Sequence, residues 1–183
     1  MTKGMKFILA ILLQVGIIGA IIFIKLTILT GGTEVLLRVA PVDPRSPLRG
    51  DYATFQYDIS QIPSYKVVTG DVRNGDTVYV TLMKSGRYWD VEYVLLEKPY
   101  NGNKIFLKGR VVSGGSSETA FTSYTYTGDS TITVVYGIED YFIPEGTGQN
   151  VNFFDKEAAV SVAVDENGNA VLKQVYVDNK PWP

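Results

Sequence analysis

The densest group of side chains that could do chemistry lies in the stretch Pro41–Tyr52, which reads PVDPRSPLRGDY. Within ten positions it carries two arginines and two aspartates, and three prolines restrict its backbone, which favours a stiff loop. A guanidinium is a planar fork that binds carboxylates and peptide carbonyls. Two interpretations stay open: a polar recognition loop, or an internal Arg–Asp network that holds the loop on the domain. The candidate residues are Asp43, Arg45, Arg49, Asp51 and Tyr52.

A second polar block, Tyr136–Gly146, places the carboxylates of Glu139, Asp140 and Glu145 around Tyr141. Three carboxylates could hold a hard cation such as Ca²⁺, but they lack the alternating Asp/Asn spacing of a calcium loop. We therefore predict no metal site. If an arginine of the first stretch meets Glu139 or Glu145 in the fold, the two blocks form one polar site.

The composition excludes most familiar reaction chemistry. The 183 residues include no Cys and no His, which excludes Ser-His and Cys-His hydrolases, thiolate or histidine metal sites and disulfides. The 17 basic and 19 acidic residues give a net charge of -2, whereas a nucleic-acid binder is expected to carry a basic stripe. We expect no cofactor and no nucleic-acid partner.

One enzymatic alternative needs no histidine. An N-terminal apolar segment followed by β strands resembles the layout of type I signal peptidases, which use a serine nucleophile and a lysine base. The candidates here are Ser46 with Lys66 or Lys108. The Ser-Met-x-Pro pattern expected around such a serine is missing, so this hydrolase is only the alternative to a non-enzymatic role.

The string Gly50–Tyr57, GDYATFQY, closely resembles the motif that gives the GDYXXLXY proteins their name, with Phe55 in the place of Leu. Both side chains are apolar, so we interpret the change as a conservative one in the core. Pro41–Arg45, Leu48-Arg49 and Tyr136–Gly146 are also similar to the family's pattern, and the resemblance spans most of residues 33–178. It implies a bacterial membrane-anchored protein, without an established activity, that partners a polytopic membrane protein.

The positioning elements begin with an apolar segment. Phe7–Ile24 holds eighteen residues without a charge, and about 20 such residues cross the roughly 30 Å hydrocarbon core. We predict a cytoplasmic N-terminus at 1–6, a transmembrane anchor at 7–29 and an extracytoplasmic domain at 33–183. Lys3 and Lys6 precede the span, which favours a cytoplasmic N-terminus. A cleaved signal peptide is the alternative, but this apolar run is longer than such peptides have.

After residue 32 the hydrophobic period changes to two, which is typical of half-buried strands. Asn167-Gly168, within the acidic turn 165–169, predicts a hairpin between Ala159–Asp165 and Ala170–Asp178. Nine to eleven short strands predict an all-β fold, an antiparallel sandwich or open barrel. The predicted strands include 52–59, 77–82, 89–93, 105–108 and 132–135.

These observations together predict a membrane-anchored extracytoplasmic binding or accessory module for another envelope protein, and for a polytopic one in particular. They assign it no catalytic residue. The binding residues expected on its two polar blocks and in the strand after the first are Asp43, Arg45, Arg49, Asp51, Tyr52, Tyr57, Glu139, Tyr141 and Glu145.

Overall fold

The computed structural model describes residues 3–40, 52–100, 104–114, 131–142 and 156–182. Six residues singled out above lie outside these ranges: Asp43, Arg45, Ser46, Arg49, Asp51 and Glu145.

A single helix, α1, spans Lys3–Gly31 and is exposed along almost its whole length. Among the described helices it is the one long and apolar enough to cross a membrane, a property that it shares with signal sequences. Its last turn is different, because Ile28 is buried against the β domain. The apolar run therefore forms a helix as predicted, and this helix is attached to the domain at its C-terminal end.

The described strands are short, and most of them alternate between buried and more exposed positions, whereas the strand Ala158–Val164 is buried along its whole length. They are β1 (Thr33–Ala40), β2 (Tyr52–Thr54), β3 (Gln56–Tyr57), β4 (Gln61–Pro63), β5 (Thr77–Ser85), β6 (Tyr88–Leu95), β7 (Phe106–Ser113), β8 (Thr131–Val135), β9 (Asp140–Phe142), β10 (Ala158–Val164), β11 (Ala170–Val177) and β12 (Lys180–Trp182). Two 3₁₀ turns, Asp58–Ser60 and Ser64–Lys66, lie on either side of β4.

The strands form two five-stranded antiparallel sheets and a separate two-stranded ladder. The first sheet has the order β12-β11-β10-β1-β3, the second has the order β4-β8-β7-β5-β6, and β2 pairs with β9. The inward side chains of both sheets form one apolar core, which includes Leu37 and Val160 of the first sheet and Val80, Leu107 and Val134 of the second. The predicted all-β antiparallel fold is confirmed.

The edge strand β6 lies along β1, so that the two sheets approach closure on this side. The Tyr88 ring lies under the Arg38 guanidinium, 4.6 Å from ring centre to Cζ, and its hydroxyl donates a hydrogen bond to the Glu157 carboxylate. Burial and this hydrogen bond raise the pKa of Tyr88. The contact joins the tip of the β5–β6 hairpin to the end of β1 that lies away from α1, because Arg38 is opposite Ala159 whereas Thr33 is opposite Val164.

The predicted Asn-Gly hairpin connects β10 and β11. Gly168 has φ +79°, a conformation that glycine adopts without strain, and the Asp165 carboxylate accepts hydrogen bonds from the amides of Asn167 and Asn169 at 2.8 Å each. A Cβ on Gly168 would lie 2.8 Å from the Phe106 ring. The turn therefore also packs closely against the second sheet.

The predicted strand at 52–59 is wrong as one continuous element. The chain divides there into three elements. β2 pairs with β9, β3 pairs with β1, and Asp58–Ser60 forms a 3₁₀ turn. The alternation correctly assigned Phe55, Tyr57 and Ile59 to the core, with at most 3% of each exposed. The pattern reports which face is buried, and this chain keeps that face while it passes from one sheet towards the other.

Candidate functional site at the motif junction

The structure brings Tyr52, the last residue of the first polar block, and the residues that follow it against the second polar block. In the β2–β9 ladder, Tyr52 lies opposite Phe142 and Thr54 lies opposite Asp140. The Thr54 hydroxyl lies 3.1 Å from the Asp140 carboxylate, and the Phe55 amide donates to the Glu139 carbonyl at 2.7 Å. We call residues 52–60 and 136–142 together the motif junction.

Two tyrosines connect the halves of the motif junction reciprocally. The Tyr57 hydroxyl donates to the Ile138 carbonyl at 2.6 Å, and the Tyr136 hydroxyl donates to the Ile59 carbonyl at 2.6 Å. Tyr57 is 0% exposed and Tyr136 is 8% exposed. A buried carbonyl needs a donor, and each tyrosine supplies one to the segment that carries the other. The pair therefore holds the two halves in one register.

Burial is the main electrostatic influence on these phenols. It raises the pKa of both Tyr57 and Tyr136 well above the ordinary value, because a phenolate would lose its hydration inside the core. The nearby Glu139 carboxylate adds to the increase at both rings, and Asp140 adds to it at Tyr57. Both side chains are neutral hydrogen-bond donors at physiological pH.

Glu139 closes the turn before β9. Its carboxylate accepts hydrogen bonds from the amides of Tyr136, at 2.5 Å, and Gly137, at 2.8 Å. Gly137 has φ +77°, so the chain reverses here with two adjacent amides directed at one carboxylate. In the described residues this carboxylate serves the backbone of its own block.

Tyr141 of the β2–β9 ladder is the middle member of an aromatic row with Phe55 and Trp182. Its ring centre lies 6.2 Å from that of Phe55 and 6.1 Å from that of Trp182, with tilted planes. Such spacings are favourable for aromatic pairs. Phe55, at the position where the motif's name has Leu, thus has an aromatic neighbour that its ring contacts.

The matched region of the chain extends well beyond this junction. The GDYXXLXY protein family matches residues 14–175, which covers most of the chain. The chain belongs to the GDYXXLXY family. No curated protein and no solved structure matches it.

The second half of the GDYXXLXY motif, which includes Phe55 and Tyr57, therefore packs in the core and holds the fold together. Of the predicted binding residues, Tyr57 is buried, Glu139 caps a turn, and Tyr141 is half-buried in the aromatic row. Tyr52 lies in β2, next to the undescribed segment 41–51. The predicted meeting of Arg45 or Arg49 with Glu139 or Glu145 falls outside the described residues and stays a prediction.

Sequence reasoning missed two residues, Tyr136 within the motif junction and Trp182, whose ring lies next to it. Tyr136 opens the second block, but nothing in its sequence neighbourhood distinguishes a buried donor from an ordinary strand tyrosine. Trp182 comes back into the first sheet through a two-residue turn at Asp178 and Asn179, both with positive φ. Asp and Asn tolerate this conformation better than most residues, so the pair was a usable hairpin signal.

The lysines of the enzymatic alternative have individual surroundings. Lys66 donates to the Val91 carbonyl, and Lys108 lies on an exposed position of β7. Their proposed partner Ser46 is outside the described residues. Within the described ranges, no group of three or more acidic side chains is arranged to hold a metal ion.

Proposed function

We propose that this GDYXXLXY protein is a single-pass membrane-anchored accessory module, whose β domain lies outside the cytoplasm and binds a polytopic membrane protein. The length and composition of α1 support the anchor. Lys3 and Lys6 at its start support a cytoplasmic N-terminus. The family match carries no activity of its own and is compatible with this role.

The observation that carries the proposal is the rigid connection between helix and domain. Only Gly32 separates α1 from β1, and its amide donates to the Ile28 carbonyl at 2.8 Å. A Cβ at this position would lie 2.6 Å from the Ile28 oxygen and 3.0 Å from the Val164 amide. The connection is thus a close backbone contact and not a flexible tether.

A rigid connection has a purpose when helix and domain must meet the same partner. A protein embedded beside α1 in the bilayer would contact both the exposed helix and the domain above it in one fixed geometry. Preorganisation of this kind improves affinity because less conformational freedom is lost on binding. The proposed contact region of the domain is the first polar block, Pro41–Tyr52, whose last residue pairs with Phe142 of the second block.

The test is affinity capture of the full chain from its native membrane, in mild detergent after crosslinking. We expect one dominant membrane protein to be recovered. Insertion of Gly-Ser-Gly-Ser between Gly31 and Gly32 should abolish its recovery and leave the melting temperature of the domain unchanged. The same insertion at Gly86, in the exposed β5–β6 turn, is the control and should leave recovery intact.

An Arg49→Ala variant separates the two interpretations of the first polar block. Loss of the partner with an unchanged melting temperature assigns Arg49 to recognition, whereas a lower melting temperature assigns it to an internal network. Recovery of no dominant partner from crosslinked membranes, or recovery that is insensitive to the Gly31 insertion, would contradict the proposal.

A further inference from the structure

A cavity of about 1010 Å³ lies where α1 meets the domain. Its walls are the last three turns of the helix, the segments 98–100 and 104–106, and the tip of the β10–β11 hairpin at 164–167. This volume is at the upper end of the range for small-molecule sites. It is therefore large enough to take a ligand of several functional groups.

The position of the cavity relative to the bilayer can be estimated from the helix. The uncharged run Phe7–Ile24 covers about 27 Å at 1.5 Å per residue, close to the thickness of a hydrocarbon core. Lys25 then marks the level of the headgroups. Phe23 and Ile24 line the cavity at the edge of the hydrocarbon, while Thr27 and Gly31 line it at headgroup depth.

The two sides of the cavity differ in chemistry. On the helix side, Phe23 and Ile24 are 70% and 57% exposed, and they continue the apolar surface of α1 into the cavity. On the domain side, Lys98 and Lys104 bring two ammonium groups, and Asp165 and Glu166 bring two carboxylates. The Asp165 carboxylate is bound within its own hairpin by the amides of Asn167 and Asn169. An apolar wall below two ammonium groups matches an acyl chain below a phosphate.

Of the two lysines, Lys98 is the one whose charge is not balanced by an ion pair among the described residues. It donates to the Asn167 side-chain oxygen at 2.7 Å, and in the described part of the chain its partner is neutral. Lys104 is 2.6 Å from the Glu92 carboxylate, but this pair is open to solvent, with 43% and 32% of the two side chains exposed. An exposed ion pair is weak, so both lysines can turn towards a phosphate at small cost.

Tyr100, between the two lysines in sequence, is an independent sign of an interfacial location. Its side chain is fully exposed, at 101% of the reference area, although it lines the cavity. An amphipathic tyrosine in this position is typical of the headgroup level, where the ring lies against lipid and the hydroxyl reaches water.

We propose that this cavity binds one glycerophospholipid of the extracytoplasmic leaflet, with its phosphate at Lys98 and Lys104 and an acyl chain along Phe23 and Ile24. The inference rests on the membrane anchoring proposed above. The bound lipid would fill the gap between helix and domain, which Ile28 and Gly32 close only at the end nearest β1. It would therefore support the fixed angle between helix and domain on the side that the connection at Gly32 leaves open.

The test uses the full chain in nanodiscs that contain equal amounts of phosphatidylglycerol and a phosphate-free diglucosyl diacylglycerol. Native mass spectrometry after release into detergent reports which lipid stays bound. We expect one retained phosphatidylglycerol and little glycolipid. The K98Q/K104Q double variant should lose retention by about 25-fold, because each lysine near a headgroup contributes about fivefold.

Lys84→Gln is the matched control, because Lys84 is an exposed lysine on the β5–β6 hairpin, whose tip contacts the end of β1 away from α1. Equal retention in K98Q/K104Q and K84Q, or equal retention of the two lipids, would overturn the lipid site. Competition by free glycerol 3-phosphate that displaces the phospholipid completely would also overturn it, since the acyl chain then adds nothing.

Flotation of the same variants with liposomes keeps the two proposals apart. A chain that floats but retains no phospholipid refutes the cavity's role and leaves the anchor standing. A chain that does not float refutes both. Melting temperatures within about 2 °C of the wild type in K98Q/K104Q show that the domain is intact.

Discussion

Removal of either tyrosine hydroxyl at the motif junction should destabilise the domain measurably. In Tyr57→Phe the Ile138 carbonyl loses its donor, and in Tyr136→Phe the Ile59 carbonyl does. A buried group without a partner costs about 1–3 kcal/mol. Phenylalanine preserves the ring, so no large cavity term is added. We expect a loss of about 2 kcal/mol in the free energy of unfolding for each variant.

The two losses should not be independent. Tyr57 and Ile59 belong to one half of the junction, Tyr136 and Ile138 to the other, and both bonds hold the same two segments. Once one bond is lost, the segments can separate slightly and the second bond is weakened. The double variant should therefore lose less than the sum of the single ones, with a coupling energy of about 0.5 kcal/mol or more.

Urea unfolding of the full chain in detergent, followed by tryptophan fluorescence, measures these energies. Trp182 is a suitable probe because it is 9% exposed and lies 6.1 Å from Tyr141, next to the junction. Tyr65→Phe is the control, since Tyr65 is 81% exposed, and its loss should stay below about 0.5 kcal/mol. At about 2–4 °C per kcal/mol, each junction variant should lower the melting temperature by about 4–8 °C. Losses in Y57F and Y136F no larger than in Y65F would refute the reasoning.

Three further predictions concern the same fold. Because burial raises the pKa of Tyr57 and Tyr136, the stability that they give is complete below about pH 9 and falls as the pH passes about 10, where the unfolded chain releases their protons. Between pH 9 and 11 the free energy of unfolding should fall with a mean slope that Y57F/Y136F reduces by about 1.4 kcal/mol per pH unit. If Y57F/Y136F shows the same pH dependence of unfolding as the wild type, this prediction is contradicted. Gly168→Ala should cost about 1–3 kcal/mol from strain and close contact, whereas Gly86→Ala, at a similar φ of +63° in open space, should cost only the strain; equal melting temperatures would rule out the contact. Glu139→Ala should lower the melting temperature by about 2–8 °C because two amides lose their acceptor, and calorimetry that shows no decrease would exclude this capping role.

The loops and the helix followed directly from the sequence where the cause is local. The apolar run up to Ile24 forms a helix, as its length without a charge predicted, and Asn167-Gly168 forms a turn because glycine accepts a positive φ. The inward positions of the strands were equally readable, since period-two alternation directly reports the buried face. Phe55 and Ile59 are examples.

The identity of each partner was decided by the tertiary structure alone. The hydroxyl of Tyr57 donates to a carbonyl 81 residues away. The sequence around this tyrosine would be the same if its side chain faced a ligand. The alternation of apolar and polar residues does not indicate which strand is the neighbour, so the division of 52–59 among several partners could not be predicted. The chemistry of residues such as Tyr57 and Glu139 depends on burial and on donors from distant segments, which only the packed sheets supply.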